Sequence, residues 1–382
     1  MYYRNFKNIP EKVSLLGFGC MRLPVTDKET ETIDEKLATE MIDYAIQNGV
    51  TYFDTAYPYH KGMSETFIGK VLNKYPRDTF YLASKMPMWS MTSKEKAIEV
   101  FTEQLKKCQV EYFDFYLVHN MNKENYEKAI EYDIIALLQE YKKQGLIKHL
   151  GFSFHDNADV LANHLENHQW DFVQLQLNYL DWDLQNAKRQ YELVCERNIP
   201  VIVMEPVRGG ALATLTDNAS SKLKVYNPGT SIASWAIRYA ASKTNVLTVL
   251  SGMSDFDQVK DNLKTMTDFK PLIAKEHELI NEAIAIYLSS GTIPCTACRY
   301  CMDCPLGVDI PRVFAIYNQY MISKKTWSFL TSYYKALEES KGAENCIACQ
   351  KCVTKCPQGI DIPMWMETIK EFALSVKKEI QN

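Results

Sequence analysis

Residues 295–305 read CTACRYCMDCP, and residues 346–357 read CIACQKCVTKCP. The chain holds 11 cysteines; these two runs take all but Cys20, Cys108 and Cys195. Each run places thiols at i, i+3 and i+6 and a fourth just before a proline. A tetrahedral zinc site takes two short ligand pairs separated by a loop, which is a different pattern. Three thiolates on one tight loop can hold three corners of an iron–sulfur cube, and the fourth ligand must then come from elsewhere. The isolated cysteines read as packing residues.

A second set of reactive residues lies at the ends of apolar runs. VTYFDTA (50–56) contains Asp54, followed by Tyr57, Tyr59 and His60; TFYLASK (79–85) ends in Lys85; YFDFYLVH (112–119) ends in His119. A tyrosine beside an ammonium suits proton transfer to an oxyanion. Free tyrosine has a pKa near 10, and a neighbouring cation stabilises the tyrosinate. A tyrosine of this loop, Tyr57 or Tyr59, is therefore expected to be a general acid/base with a pKa lowered by Lys85. Asp54 would hold Lys85, and His119 would hydrogen-bond a substrate carbonyl.

The cysteine runs resemble two-cluster ferredoxin domains over about 295–360. The resemblance implies one 4Fe–4S cluster on Cys295, Cys298, Cys301 and Cys356, and another on Cys346, Cys349, Cys352 and Cys304. The first run departs from the family spacing, with two residues rather than three between Cys301 and Cys304. The frame CxAC..C…CP.G.DIP recurs in both runs, each followed by a helical pattern (312–323 and 364–379). Pro311 and Pro363 suit first helical turns, where a missing N–H costs nothing.

The reactive strand ends need a frame. Eight short apolar runs, 13–19, 50–56, 79–85, 112–119, 147–154, 172–178, 199–206 and 245–251, alternate with helical patterns. They are dense in Val, Ile, Leu, Phe and Tyr, as doubly buried strands should be. Helices are expected over 37–48, 64–74, 93–107, 130–144, 157–167, 187–197, 231–241 and 255–265, and again over 272–290. The fold class expected is α/β: a (β/α)8 TIM barrel followed by a small, mainly α-helical ferredoxin-like iron–sulfur domain. The boundaries expected are 1–275 for the barrel and 276–382 for a linker helix and the cluster domain. An open doubly wound sheet is the alternative, but its third fingerprint glycine is missing after Gly17-Phe18-Gly19.

GFGCMRLP (17–24), FDTAYPYHKGMSE (53–65), ASK (83–85), LVH (117–119), GFS (151–153), VQLQLN (173–178) and SGMSDFDQVKDN (251–262) together resemble the aldo-keto reductases over about 3–265. With the cysteine-rich tail, the chain resembles the iron–sulfur-containing branch of that family. The resemblance implies a carbonyl/alcohol oxidoreductase using NADPH or NADH and selects Tyr59 over Tyr57. It implies cofactor contacts at Ser153 and Gln174 for the carboxamide, Arg208 of EPVRGG for the pyrophosphate, and Ser251, Met253, Ser254, Gln258 and Asn262 for the adenosine end. Phe154 replaces the family's Asn, and Met204 replaces a stacking tyrosine. Gly252 and Gln258 stand where basic residues usually clasp a 2′-phosphate, which leaves NADH open. Trp89, Trp182 and Tyr179 are candidates for an apolar pocket, and His60 and His155 lie in mouth loops.

The net charge is −4 over 382 residues, with a pI near 6.0, which disfavours nucleic acid. MYYRNFKNIPEK has no signal-peptide core, and no apolar run approaches a membrane span. A soluble cytoplasmic protein is expected, where clustered thiols serve as metal ligands rather than disulfides. The partners expected are a small carbonyl or alcohol and a ferredoxin or other electron carrier. Nicotinamide gives two electrons as hydride, whereas a cluster takes one, and no flavin signature stands out. The alternative reading is an electron-transfer or binding protein whose barrel is not a nicotinamide-dependent catalyst.

Overall fold

The computed structural model describes residues 1–382 except 28, 29, 303 and 382, and the side chains of 379–381. The chain divides into two compact units: Met1–Pro206 with Ser234–Leu272, and Val207–Ala233 with Ile273–Asn382.

The first unit is a closed parallel barrel of eight strands, each pairing with its sequence neighbours and the last with the first. The strands are Leu16–Gly19, Tyr52–Asp54, Tyr81–Pro87, Phe113–Met121, Ile147–Phe154, Phe172–Gln176, Val201–Met204 and Val246–Gly252. Every expected run contributes one strand. The run 13–19 is the exception in detail, because its first half belongs to an N-terminal hairpin, Tyr3–Phe6 against Ile9–Ser14. Ile9 and Val13 of that hairpin pack with Tyr52, Phe115, Phe172, Ile202 and Leu247 near the strand starts. One end of the barrel is thereby plugged with apolar side chains, and the reactive groups lie at the other, where barrel enzymes work.

Register sets those groups side by side. Asp54 pairs across to Ala83, Lys85 to Leu117, Pro87 to His119, and Ser153 to Gln174. Gly151 is required by close packing, since a Cβ there would lie 2.4 Å from the carbonyl oxygen of Phe172. The expected helix 130–144 is two, Lys123–Glu131 and Ile134–Lys143, broken where Asp133 takes a positive φ of 55°.

The second unit is helical and built on the repeat. Its core gathers Val308, Ile310, Phe314, Ile362, Met366 and Ile369, with six of the tail cysteines packed on its edge. Helix Ile310–Ser323 is capped by Asp309, whose carboxylate accepts from the N–H of Arg312. Helix Ile362–Gln381 begins the same way, Asp361 accepting from the N–H of Met364. The DIP of each repeat is thus a helix start, with an N-cap aspartate and an early proline. Helices Asp217–Tyr226 and Thr326–Tyr334 were not expected from the sequence pattern. Among the described residues, no helix is long and apolar enough to cross a membrane.

Candidate active site and cysteine clusters

Lys85 is fully buried, and its ammonium donates to Asp54 Oδ1 at 2.7 Å and to the Thr55 carbonyl at 2.8 Å. It reaches the Tyr59 hydroxyl at 3.5 Å and lies 5.0 Å from the centre of that ring. The Tyr59 and His119 rings meet edge to face at 6.2 Å. Asp54, Tyr59, Lys85 and His119 are therefore brought together, from the ends of three successive strands and one loop. The loop is sharply bent: His60 and Lys61 both take positive φ, near 50°. The ring of His60 points inward and shares a hydrogen bond with the Glu31 carbonyl at 3.2 Å, so His60 is a fastening for the loop.

The electrostatics differ from expectation at Tyr59. Burial, then the Asp54 carboxylate, push its hydroxyl well above the usual tyrosine range, with Cys20 and Glu205 adding to this and Arg22 opposing. Burial and the nearby carboxylate outweigh the expected lowering by Lys85, whose ammonium also bonds Asp54 at 2.7 Å. Tyr59 is held as the neutral phenol, a proton donor. Burial likewise raises Asp54, with Lys85 acting against it. Burial, then Lys85 and His155, hold His119 well below the usual histidine range. Its neutral imidazole can hydrogen-bond a ligand, and Nδ1 has no partner among the described residues.

Beneath Lys85 lies a polar network that sequence reasoning missed. Gln104 donates to the Lys85 carbonyl at 3.0 Å and to Glu65 Oε1 at 2.6 Å, and Ser84 donates to the same carboxyl oxygen. Tyr116 closes it by donating to Gln104 Oε1. The only sequence signal was polar residues on helix faces otherwise apolar. The mouth aromatics divide. Trp89 is 41% exposed, with its ring 4.9 Å from His119. Trp182 and Tyr179 pack on Tyr239, and Lys243 lies 3.7 Å over the Trp182 ring.

For a nicotinamide the donor set is suitable. Gln174 is buried, and its Oε1 has no partner among the described residues while its amide nitrogen reaches Met204 Sδ at 3.4 Å. An unsatisfied buried oxygen of this kind fits a carboxamide N–H. Ser153 accepts from the N–H of Asn120 at 2.9 Å, and its strand pairs with that of Gln174. At the last strand, Asn262 donates to Ser251 at 2.9 Å, Met253 is buried, and Ser254 donates to the Arg22 carbonyl. Gln258 is tied at both ends, accepting from the N–H of Ser254 and donating to Asp255. The stem of Arg22, in the GFGCMRLP motif, lies 3.0 Å from where a Cβ on Gly252 would be. Arg208 departs from expectation: it is buried in the second unit and donates to Gln358 Oε1 at 2.9 Å. Val207–Ala233 joins the cysteine-rich unit, a tertiary event that no local pattern announced.

The eight tail cysteines line two concavities crosswise. One is lined by Cys295, Cys298, Cys301 and Cys356; the other by Cys304, Cys346, Cys349 and Cys352. The loops repeat each other's backbone: Ala297 and Arg299 take positive φ in one, and Ala348 and Gln350 in the other. Burial pushes the Cys295 thiol up to about 11 and the Cys301 thiol up to about 12, with the neighbouring thiols of the same set adding to it. Thiols so placed favour the thiolate only when a cationic centre sits among them. Among the described residues, no three Cys, His, Asp or Glu side chains are grouped to hold one metal ion. Sulfurs around one tetrahedral zinc would lie only about 3.8 Å apart, given Zn–S of about 2.3 Å. Four thiols that line one concavity without being grouped around a single ion fit a group of several metal atoms.

Comparison with known proteins agrees with both units. Residues 15–285 match the model of the aldo/keto reductase family, and residues 294–360 match that of a 4Fe-4S dicluster domain. L-galactose dehydrogenase of Arabidopsis thaliana is 25% identical over 74% of this chain and 93% of its own length. The NADH-specific methylglyoxal reductase of Escherichia coli is 22% identical over 66% of this chain and 90% of its own. Probable aldo-keto reductase 1 of Glycine max is 29% identical over 52% of this chain, which spans 57% of that relative's length. Among solved structures, the holo form of aldo-keto reductase AKR11C1 from Bacillus halodurans superposes with a TM-score of 0.60 at 27% identity, over 74% of this chain and 96% of its own. With its closed barrel and more than half its length matched, the chain belongs to the aldo/keto reductase family of oxidoreductases and carries a C-terminal 4Fe-4S domain.

Proposed function

We propose that the barrel interconverts a small carbonyl compound and its alcohol with NADH or NADPH, and that the tail holds two 4Fe–4S clusters on the crosswise cysteine sets. The observation that carries the first part is the Asp54–Lys85–Tyr59 arrangement beside neutral His119. A reduced nicotinamide, when bound, supplies hydride. The chain's own residues do the rest. His119 donates a hydrogen bond to the carbonyl oxygen and fixes its position. Tyr59, kept protonated by burial, delivers its proton to the oxygen as negative charge develops there. Lys85 then steadies the tyrosinate at 3.5 Å, an interaction that is stronger after proton transfer than before it, as a catalytic interaction must be. Trp89 covers His119 on one side and favours a substrate with an apolar flank.

Ser153 and Gln174 are assigned to the carboxamide, and Ser251, Met253, Ser254, Gln258 and Asn262 to the adenosine end. NADH is favoured over NADPH. The segment 252–258 carries Asp255 and Asp257 and no basic side chain, and Gln258 is already engaged. A 2′-phosphate would meet carboxylates there rather than a guanidinium fork. In the tail, Cys349 is exposed, which suits exchange of single electrons with a ferredoxin or similar carrier.

The test is Tyr59→Phe, purified without oxygen and assayed with NADH and NADPH against a panel of small aldehydes and ketones. Turnover should fall by about 10²-fold or more, the range for loss of a positioned general acid, with the clusters' visible absorption unchanged. Turnover equal to wild type removes Tyr59 from the reaction.

A further inference from the structure

The two cysteine sets are not equivalent. Resting on the reading that each holds a 4Fe–4S cluster, we infer that Arg208 is a positioning residue for the Cys295–Cys298–Cys301–Cys356 site, where its buried charge raises that cluster's reduction potential above that of the Cys304–Cys346–Cys349–Cys352 cluster.

Three observations support this. Arg208 is 1% exposed and donates to Gln358, which follows Cys356 by two residues and lines the same concavity as the first set. Its neighbour Gly209 lies flat on the first loop. With φ of 63°, a Cβ there would sit 2.0 Å from the carbonyl oxygen of Thr296, the residue between Cys295 and Ala297. Arg208 itself has a positive φ of 50°, so this segment is bent to deliver the guanidinium. The corresponding place in the second loop differs. Cys349 is exposed, and Ile347 and Leu306 beside it are 62% and 44% exposed.

Reduction adds one electron and one negative charge to a cluster. A fixed cation in a poorly solvated site stabilises that added charge far more than one in water does. Water around the second set offers only a screened substitute. The first cluster should accept an electron before the second does.

The experiment is an anaerobic titration with dithionite of wild type, Arg208→Gln, Arg208→Lys and Gln358→Glu. Each cluster is followed by electron paramagnetic resonance, and iron and sulfide are measured on the same samples. Wild type should show two midpoints. Arg208→Gln should lower the higher one by at least a tenfold change in the equilibrium constant, about 59 mV for one electron, and leave the other in place. Arg208→Lys keeps the charge and should stay near wild type. Gln358→Glu adds an opposing charge without removing the arginine and should move the same midpoint downward, so it decides the matter if Arg208→Gln does not assemble. Unchanged midpoints, equal shifts of both clusters, or a lysine variant that behaves like glutamine would overturn the role of Arg208. Absence of iron and sulfide in wild type would instead overturn the cluster reading beneath it.

Discussion

Lys85→Met removes the ammonium from a fully buried ion pair. The Asp54 carboxylate then loses its 2.7 Å partner, and its other oxygen has none among the described residues. Breaking a buried pair from one side costs about 3–5 kcal/mol, because the remaining charge is left uncompensated. Asp54 escapes part of this by taking up a proton. Its pKa, already raised by burial and held back by Lys85, must rise further in the variant. The sign follows. The unfolded chain releases this proton near the ordinary aspartate value of about 3.9, and the folded variant holds it to higher pH. Across that window the folded state binds more protons than the unfolded one, so stability falls as pH rises, then levels above the folded pKa. The deficit relative to wild type should therefore be small near pH 4 to 5 and full by pH 8. Urea unfolding of the anaerobic protein, followed by tryptophan fluorescence at pH 5 and pH 8, measures it. Asp54→Asn combined with Lys85→Met should recover most of the loss at pH 8. A single variant within about 0.5 kcal/mol of wild type at pH 8, or a deficit equal at both pH values, would refute the argument; surface substitutions stay within that margin.

Two further outcomes are expected. His164 is buried between Tyr126, at 4.1 Å, and Phe152 and Phe154, and neither ring nitrogen has a partner among the described residues. Burial lowers its pKa to about 4, so as pH falls from 6.5 toward 4 only the unfolded chain gains the proton and stability drops, by about 2 kcal/mol at pH 5 for a shift of this size. His164→Phe should remove that part of the acid slope in a melting series; an unchanged slope would contradict it. Cys356→Ser should cost about half of the bound iron and sulfide. Adding Cys298→Ser should cost no more, whereas adding Cys349→Ser should empty both sites; the reverse pattern would mean each run holds its own cluster.

Much of this was legible from sequence because the signals were local or periodic. Cysteine spacing and the repeated DIP start of two helices are short-range facts, and the crosswise ligand sets are what the resemblance to two-cluster ferredoxin domains implies. Asp54, Lys85 and His119 were legible because each ends a doubly buried strand, and parallel pairing then brings strand ends together. What failed depended on tertiary context. The bent segment around Arg208 has its place decided by the cysteine loops. The proton affinity of Tyr59 is set first by burial and then by the Asp54 carboxylate, and neither is visible in residue order. The Glu65–Ser84–Gln104–Tyr116 network was invisible for the same reason.

In the proposed reaction, hydride passes from nicotinamide to the carbonyl carbon at the barrel site, with Tyr59 supplying the proton. It is tested most directly with NADH, or NADPH, deuterated at the transferring position, a turned-over carbonyl in ordinary water, and mass analysis of the alcohol. The account predicts one deuterium per molecule on the carbinol carbon, in wild type and in whatever product Arg208→Gln makes. An alcohol whose new C–H hydrogen comes from water would contradict it, and would mean that electrons reach the substrate singly.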